Sequence, residues 1–210
     1  MVLTCQQLLD RHSQLWHSAT HHPFLDQCAA GTIKPEQFNT WLVQDYLFVV
    51  EFTRMQAQVV RVAPADHLDI LLSGIVAIKD ELNWFQAKAT ERELDLNTSP
   101  QVTCSEYCDF MHSFASTPYA VQAIALWAIE LAYNQGWQKP GSMPAPYAEF
   151  ADRWGNPDFT AYVDLLAQQA DAALASASST TQQQAEDTFA QIARLEQAFW
   201  QMAFNASAAE

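Results

Sequence analysis

Four acidic residues stand at helix spacing from large aromatic side chains. Asp45 has Trp41 four residues before it and Phe48 three after it. Glu81 follows Ile78 by three and precedes Trp84 and Phe85 by three and four. Glu130 lies three after Trp127 and three before Tyr133, inside ALWAIELAYNQGW (125–137). Glu196, in RLEQAFWQMAF, is followed by Phe199 and Trp200 at three and four. On a helix, residues so spaced share a face. Each acid is therefore expected on an apolar, aromatic face, where an unpartnered carboxylate is costly or takes up a proton. Any one of them could reach water from the edge of its stripe, or pair with Arg54, Arg153 or Arg194. Together they suggest an internal polar cavity with aromatic walls, the usual make-up of a small-molecule site.

Two chemistries suit such a cavity. One is a di-metal site, in which a helical bundle supplies carboxylates and two Glu-x-x-His pairs. Of the six histidines only His112 has an acid three residues earlier, Asp109, and none accompanies Glu81, Glu130 or Glu196. His17 and His21 have the spacing of a ligand pair, but in a polar first helix where solvent exposure is the better expectation. No motif supports haem ligation, and no metal or cofactor is expected. The other chemistry is metal-free acid–base catalysis on a flat organic ring stacked by aromatics. A carboxylate suits the edge of an aminopyrimidine: it accepts from the exocyclic amine and, when protonated, donates to a ring nitrogen. A di-metal oxygenase using Asp45, Glu81, Glu130 and Glu196 is the alternative enzyme. A non-catalytic pyrimidine-binding or regulatory protein is the alternative outside catalysis.

The elements that must position these acids read as helices. Glycine is scarce, at five residues, and helix-length segments fall between the nine prolines. Residues 35–62 open on Pro35, which suits a first helical turn, and carry Phe38, Trp41, Leu42, Asp45, Phe48, Val49 and Phe52 at 3–4 spacing. Residues 65–92 repeat the theme through Leu68, Leu71, Leu72, Ile75, Ile78, Leu82 and Phe85. Thr103 with Glu106 resembles a capping box ahead of Tyr107. Residues 118–138, 158–176 and about 185–204 complete the pattern, with SASSTTQQQ (176–184) expected as a surface loop. The expectation is one all-α domain over residues 1–210, of roughly seven or eight helices, with 205–210 as a frayed tail.

Composition bounds the partners. Half of the 210 residues are hydrophobic and seven are tryptophan, ample for a large core. The formal charge of −14, from 24 acids and 10 bases, leaves no basic face for nucleic acid or for an anionic membrane. No segment approaches the ~20 apolar residues of a membrane span. MVLTCQQLLDRHSQLW lacks a basic start with a long apolar core, so no signal peptide is expected and the cytoplasm is the expected compartment. Cys5, Cys28, Cys104 and Cys108 form no CxxC pair and are expected as free thiols.

Several stretches together resemble the TenA (thiaminase II) family. They are HPFLDQCAAGTIKPEQFNTWLVQDYLFVVEF (22–52), DELNWF (80–85), ALWAIELAYNQGW, DRWGNPDF (152–159) and LEQAFWQMA (195–203). The resemblance covers nearly the whole chain in order and implies the haem-oxygenase-like helical bundle. It implies that Asp45, in the family's QD motif, binds a pyrimidine ring, with Phe48 where relatives often have tyrosine. Tyr107 matches the family's pocket tyrosine, Trp154 an aromatic wall, and Glu196 the proton donor. Where familiar members carry a nucleophilic cysteine this chain has Ala128. The WAIE…Y form resembles the cysteine-less TenA-E subgroup, which deaminates 4-amino-5-aminomethyl-2-methylpyrimidine to the hydroxymethylpyrimidine, some members also hydrolysing the N-formyl form. Glu196, its pKa expected to be raised by Phe199 and Trp200, would protonate the leaving amine, and Glu130 would direct water. Tyr133 joins the substrate-binding set; Glu81, Trp84, Trp127 and Phe199 are possible further site residues. A small pyrimidine is the expected partner, in a homodimer or homotetramer.

Overall fold

The computed structural model describes residues 2–207. These form ten α-helices with no strand among the described residues: α1 (Cys5–Arg11), α2 (Ser13–Thr20), α3 (Pro23–Ala30), α4 (Pro35–Val62), α5 (Leu68–Glu91), α6 (Val102–His112), α7 (Tyr119–Gln138), α8 (Ala148–Trp154), α9 (Pro157–Ala175) and α10 (Ser179–Phe204). Short 3-10 turns, Ala65–His67 and Ser113–Ser116, precede α5 and follow α6. None of the helices among the described residues is long and apolar enough to cross a membrane.

Helix ends follow from local chemistry. Proline opens α3, α4 and α9, where its missing N–H costs nothing. Gln37 accepts from the Lys34 N–H at 3.2 Å, tying down the start of α4. Helix α3 stops because Gly31 adopts φ +68°, the left-handed conformation in which a Cβ is strained. Three expectations are corrected here. The first thirty residues break into three short helices and α8 adds another, so ten helices replace seven or eight. SASSTTQQQ is mostly the start of α10, which begins at Ser179. Thr103 is not a cap: α6 starts at Val102 and Gln101 is its N-cap, without a side-chain capping bond. Helix α10 ends at Phe204, and residues 208–210 of the expected tail lie outside the described residues.

The chain divides into two compact units. One takes the chain up to Ile33 together with Pro118–Ala198. In it α7 packs against α2, α8 and α9. All of α7 except Tyr119, Gln135 and Gln138 is buried, as a helix apolar all round should be. The other unit takes Lys34–Thr117 and the chain from Phe199 on. In it α4 packs against α5 and α6, and the whole Phe38–Phe52 stripe expected on α4 is buried, Asp45 included. On α5 the stripe holds at Leu71, Ile78 and Phe85, whereas Leu72 faces out.

Candidate active site

In the unit built on α4, Asp45 is fully buried and Phe48, a turn further on, is 2% exposed. The Phe48 ring lies 4.8 Å from that of Tyr107 on α6 and 5.7 Å, edge-on, from that of Phe199 on α10. It stacks on Phe52 at 5.9 Å. Burial of Asp45 among aromatics is what the spacing on α4 predicts.

Gln44 places Tyr107 against this cluster. Its Oε1 accepts from the Gln101 N–H at 2.7 Å, and its carbonyl accepts from the Cys104 thiol at 3.5 Å. Both bonds join α4 to the start of α6, at the residue beside Asp45. Sequence reading missed Gln44, whose only signal is a polar residue next to the acid. Cys104 and Cys108, a turn apart on α6, are both buried and free. Their mutual hydrogen bond, with burial and the charges of Asp45 and Glu51, pushes the Cys104 thiol far up. The same bond pulls Cys108 below its ordinary value against its burial.

The possible residues on α5 are less central. Glu81 and Trp84 are half-buried, while Phe85 beside them is fully buried. Trp84 meets Phe85 edge-on at 5.2 Å, and Phe85 faces Trp41 at 6.5 Å. Trp41 in turn stacks on Trp200 at 6.3 Å. Arg54 is engaged by Glu51, which also takes His112 Nε2 at 2.8 Å. Burial raises the Glu51 carboxyl, but these two hydrogen bonds and charges outweigh it and hold the group below the usual carboxylate range.

The other unit holds Glu130 and Glu196, 8% and 1% exposed, on α7 and α10. Ala128, two residues before Glu130, is fully buried. Trp154 closes α8; its ring meets Tyr133 edge-on at 5.8 Å and stacks on Trp137 at 5.6 Å. Its carbonyl accepts from Asn134 Nδ2 at 2.7 Å. Asn134 is a second residue that sequence reading missed, since periodicity marks apolar positions and not a buried amide. Trp127 stacks on Phe189 at 5.7 Å, and Phe189 stacks on Trp16 at 5.0 Å. With Leu131 and Gln135, Trp127 lines a cavity of about 330 Å³ that also reaches Cys5 and Asp171.

His17 and His21 are exposed, with rings stacked at 3.9 Å. Burial, then the nearby Lys139 charge, lowers the His21 pKa. Among the described residues no three His, Cys, Asp or Glu side chains cluster as a metal site, so the ligand set of a di-metal oxygenase is not assembled there.

Helices alone among the described residues, with buried acids on α4, α7 and α10, define an all-α protein of the haem-oxygenase-like class. The model of the TENA/THI-4/PQQC family matches residues 9–206, and the chain belongs to that family. A Glycine max protein named "Probable bifunctional TENA-E protein" is 32% identical over 206 residues, covering 92% of this chain and 90% of that one. An "Aminopyrimidine aminohydrolase" of Halalkalibacterium halodurans is 24% identical, with 94% of each chain covered. The X-ray structure of a TenA homologue from Pyrococcus furiosus superposes with a TM-score of 0.90 at 29% identity, covering 94% of this chain and 98% of that one.

Proposed function

We propose that the protein is a hydrolase of thiamine-pyrimidine salvage, of the TenA-E type. It replaces the side-chain amine of 4-amino-5-aminomethyl-2-methylpyrimidine with hydroxyl and releases ammonia. One observation carries this reading: the α7 position that relatives fill with a nucleophilic cysteine is a buried alanine, Ala128, and the buried reactive group nearest in sequence is the carboxylate of Glu130. The relative named aminopyrimidine aminohydrolase, similar along nearly its whole length, supports it.

The family resemblance gives Asp45 the ring's exocyclic amine and Phe48, Tyr107 and Trp154 the ring's faces and edges, and Tyr133 joins that set. Glu130 takes a proton from water, whose oxygen forms the new bond to the methylene carbon. The carbon–nitrogen bond breaks as Glu196 gives its proton to the leaving amine. The proton taken up by Glu130 then passes through water to Glu196, which restores the resting enzyme. Glu81, half-buried on α5, is assigned packing or ion pairing in preference to chemistry. The compartment is the cytoplasm, the partner is the pyrimidine, and the assembly is a homodimer or homotetramer, which light scattering distinguishes.

Ammonia release from the aminomethylpyrimidine, with the N-formyl form as a second substrate, tests the assignment after trace metal is chelated. Glu130→Gln and Glu196→Gln are each expected to lose about 10²–10⁴-fold in kcat, the usual worth of a general acid or base. Near-full turnover by either variant removes that residue from the mechanism.

A further inference from the structure

We infer that Asn134 is the positioning residue that holds Trp154 in place and so sets how tightly the site grips a flat ring; this rests on the function proposed above. Trp154 is the last residue of α8, where helix carbonyls have no partner within the helix. Asn134 Nδ2 supplies the partner for its carbonyl, at 2.7 Å. The other end of the amide is committed too: Oδ1 accepts from Thr160 Oγ1 at 3.2 Å, and the same hydroxyl lies 3.2 Å from the Asn156 carbonyl. At 2% exposure the amide cannot turn away without leaving a buried polar group unmatched.

Residues on both sides of Asn134 hold the ring. Tyr133 meets it edge-on and Trp137 stacks on it, so one stretch of α7 fixes both the backbone and the side chain of Trp154. Helix α8 has seven residues, too few to be stable by its own hydrogen bonds. The position of Trp154 therefore depends on its tethers. Leucine would fill the space of Asn134 in this apolar helix; only the amide can hold a carbonyl. Loss of the tether is expected to weaken ring binding and to leave the proton transfers of Glu130 and Glu196 intact.

The test labels the seven tryptophans with 5-fluorotryptophan and follows them by ¹⁹F NMR, with Trp154→Phe assigning the Trp154 resonance. Asn134→Leu should shift or broaden that resonance, and that of Trp137 stacked on it, while the other five stay put. The same variant should raise KM for the aminomethylpyrimidine about tenfold with kcat within threefold, and weaken binding of the hydroxymethylpyrimidine in parallel. Thr160→Val should move the resonance and KM in the same direction, and Thr160→Ser, which keeps the hydroxyl, should not. This pair decides the matter if the Leu variant does not fold. A resonance and KM unchanged in both Asn134→Leu and Thr160→Val overturn the assignment alone. A wild-type protein that neither binds nor turns over the pyrimidine overturns the proposed function, and the binding role of Asn134 with it.

Discussion

At the scale of single residues, Ala128 stands where the family resemblance places a nucleophilic cysteine. It is fully buried in a close-packed helix. Ala128→Cys would add a sulfur at a fully buried position, and is expected to cost about 1–3 kcal/mol of stability in urea unfolding. It should not create thiamine cleavage, because a thiol in apolar surroundings stays protonated and unreactive. Thiamine turnover by that variant would show that the position alone makes the nucleophile.

Among elements, the turn between α8 and α9 decides where Trp154 stands. Asn156 Nδ2 donates to the carbonyls of Asp152 and Arg153, each at 2.8 Å, closing α8. Its Oδ1 accepts from the Phe159 N–H at 2.8 Å and caps α9. One side chain thus ends one helix and starts the next, within DRWGNPDF. Gly155 is required for a different reason than backbone freedom. A Cβ there would lie 2.7 Å from the Ala151 carbonyl oxygen and 3.2 Å from the backbone of Gln138. Gly155→Ala must push α8 away from α7, and is expected to cost about 1–3 kcal/mol and to disturb the Trp154 resonance. Unchanged unfolding would mean that the turn yields easily, against its dense hydrogen bonding.

On the scale of the whole molecule, charge governs the response to acid. The excess of 24 acids over 10 bases falls as carboxylates protonate. Glu51 has a folded carboxyl held below the usual range by Arg54 and His112. The unfolded chain therefore binds more protons there than the folded one. Its contribution is fully present above the unfolded carboxylate value of about 4.3 and is lost as pH falls through the lower folded value. Glu51→Gln should lower Tm near neutrality and match the wild type in strong acid, as thermal melts across that window would show. A constant Tm difference across the window would mean that Glu51 acts through packing and not through charge.

The sequence by itself determined the helices and the buried acids. Long segments with apolar residues every three or four positions can bury themselves only as helices, so α4, α7 and α9 were legible almost to the residue. The aromatic neighbours of Asp45, Glu130 and Glu196 likewise announced burial, because residues a turn apart on a helix share one environment. Short helices carry too few periodic positions to be read, which is why α8 and the division of the first thirty residues emerged only in the fold. Tertiary structure alone decided that Trp127 joins the Phe189 stack, that Gln44 fixes α6 to α4, and that Asn134 holds Trp154. Those contacts join residues 62, 57 and 20 positions apart. Side-chain spacing within one helix says which face is buried, but not which partner waits across it.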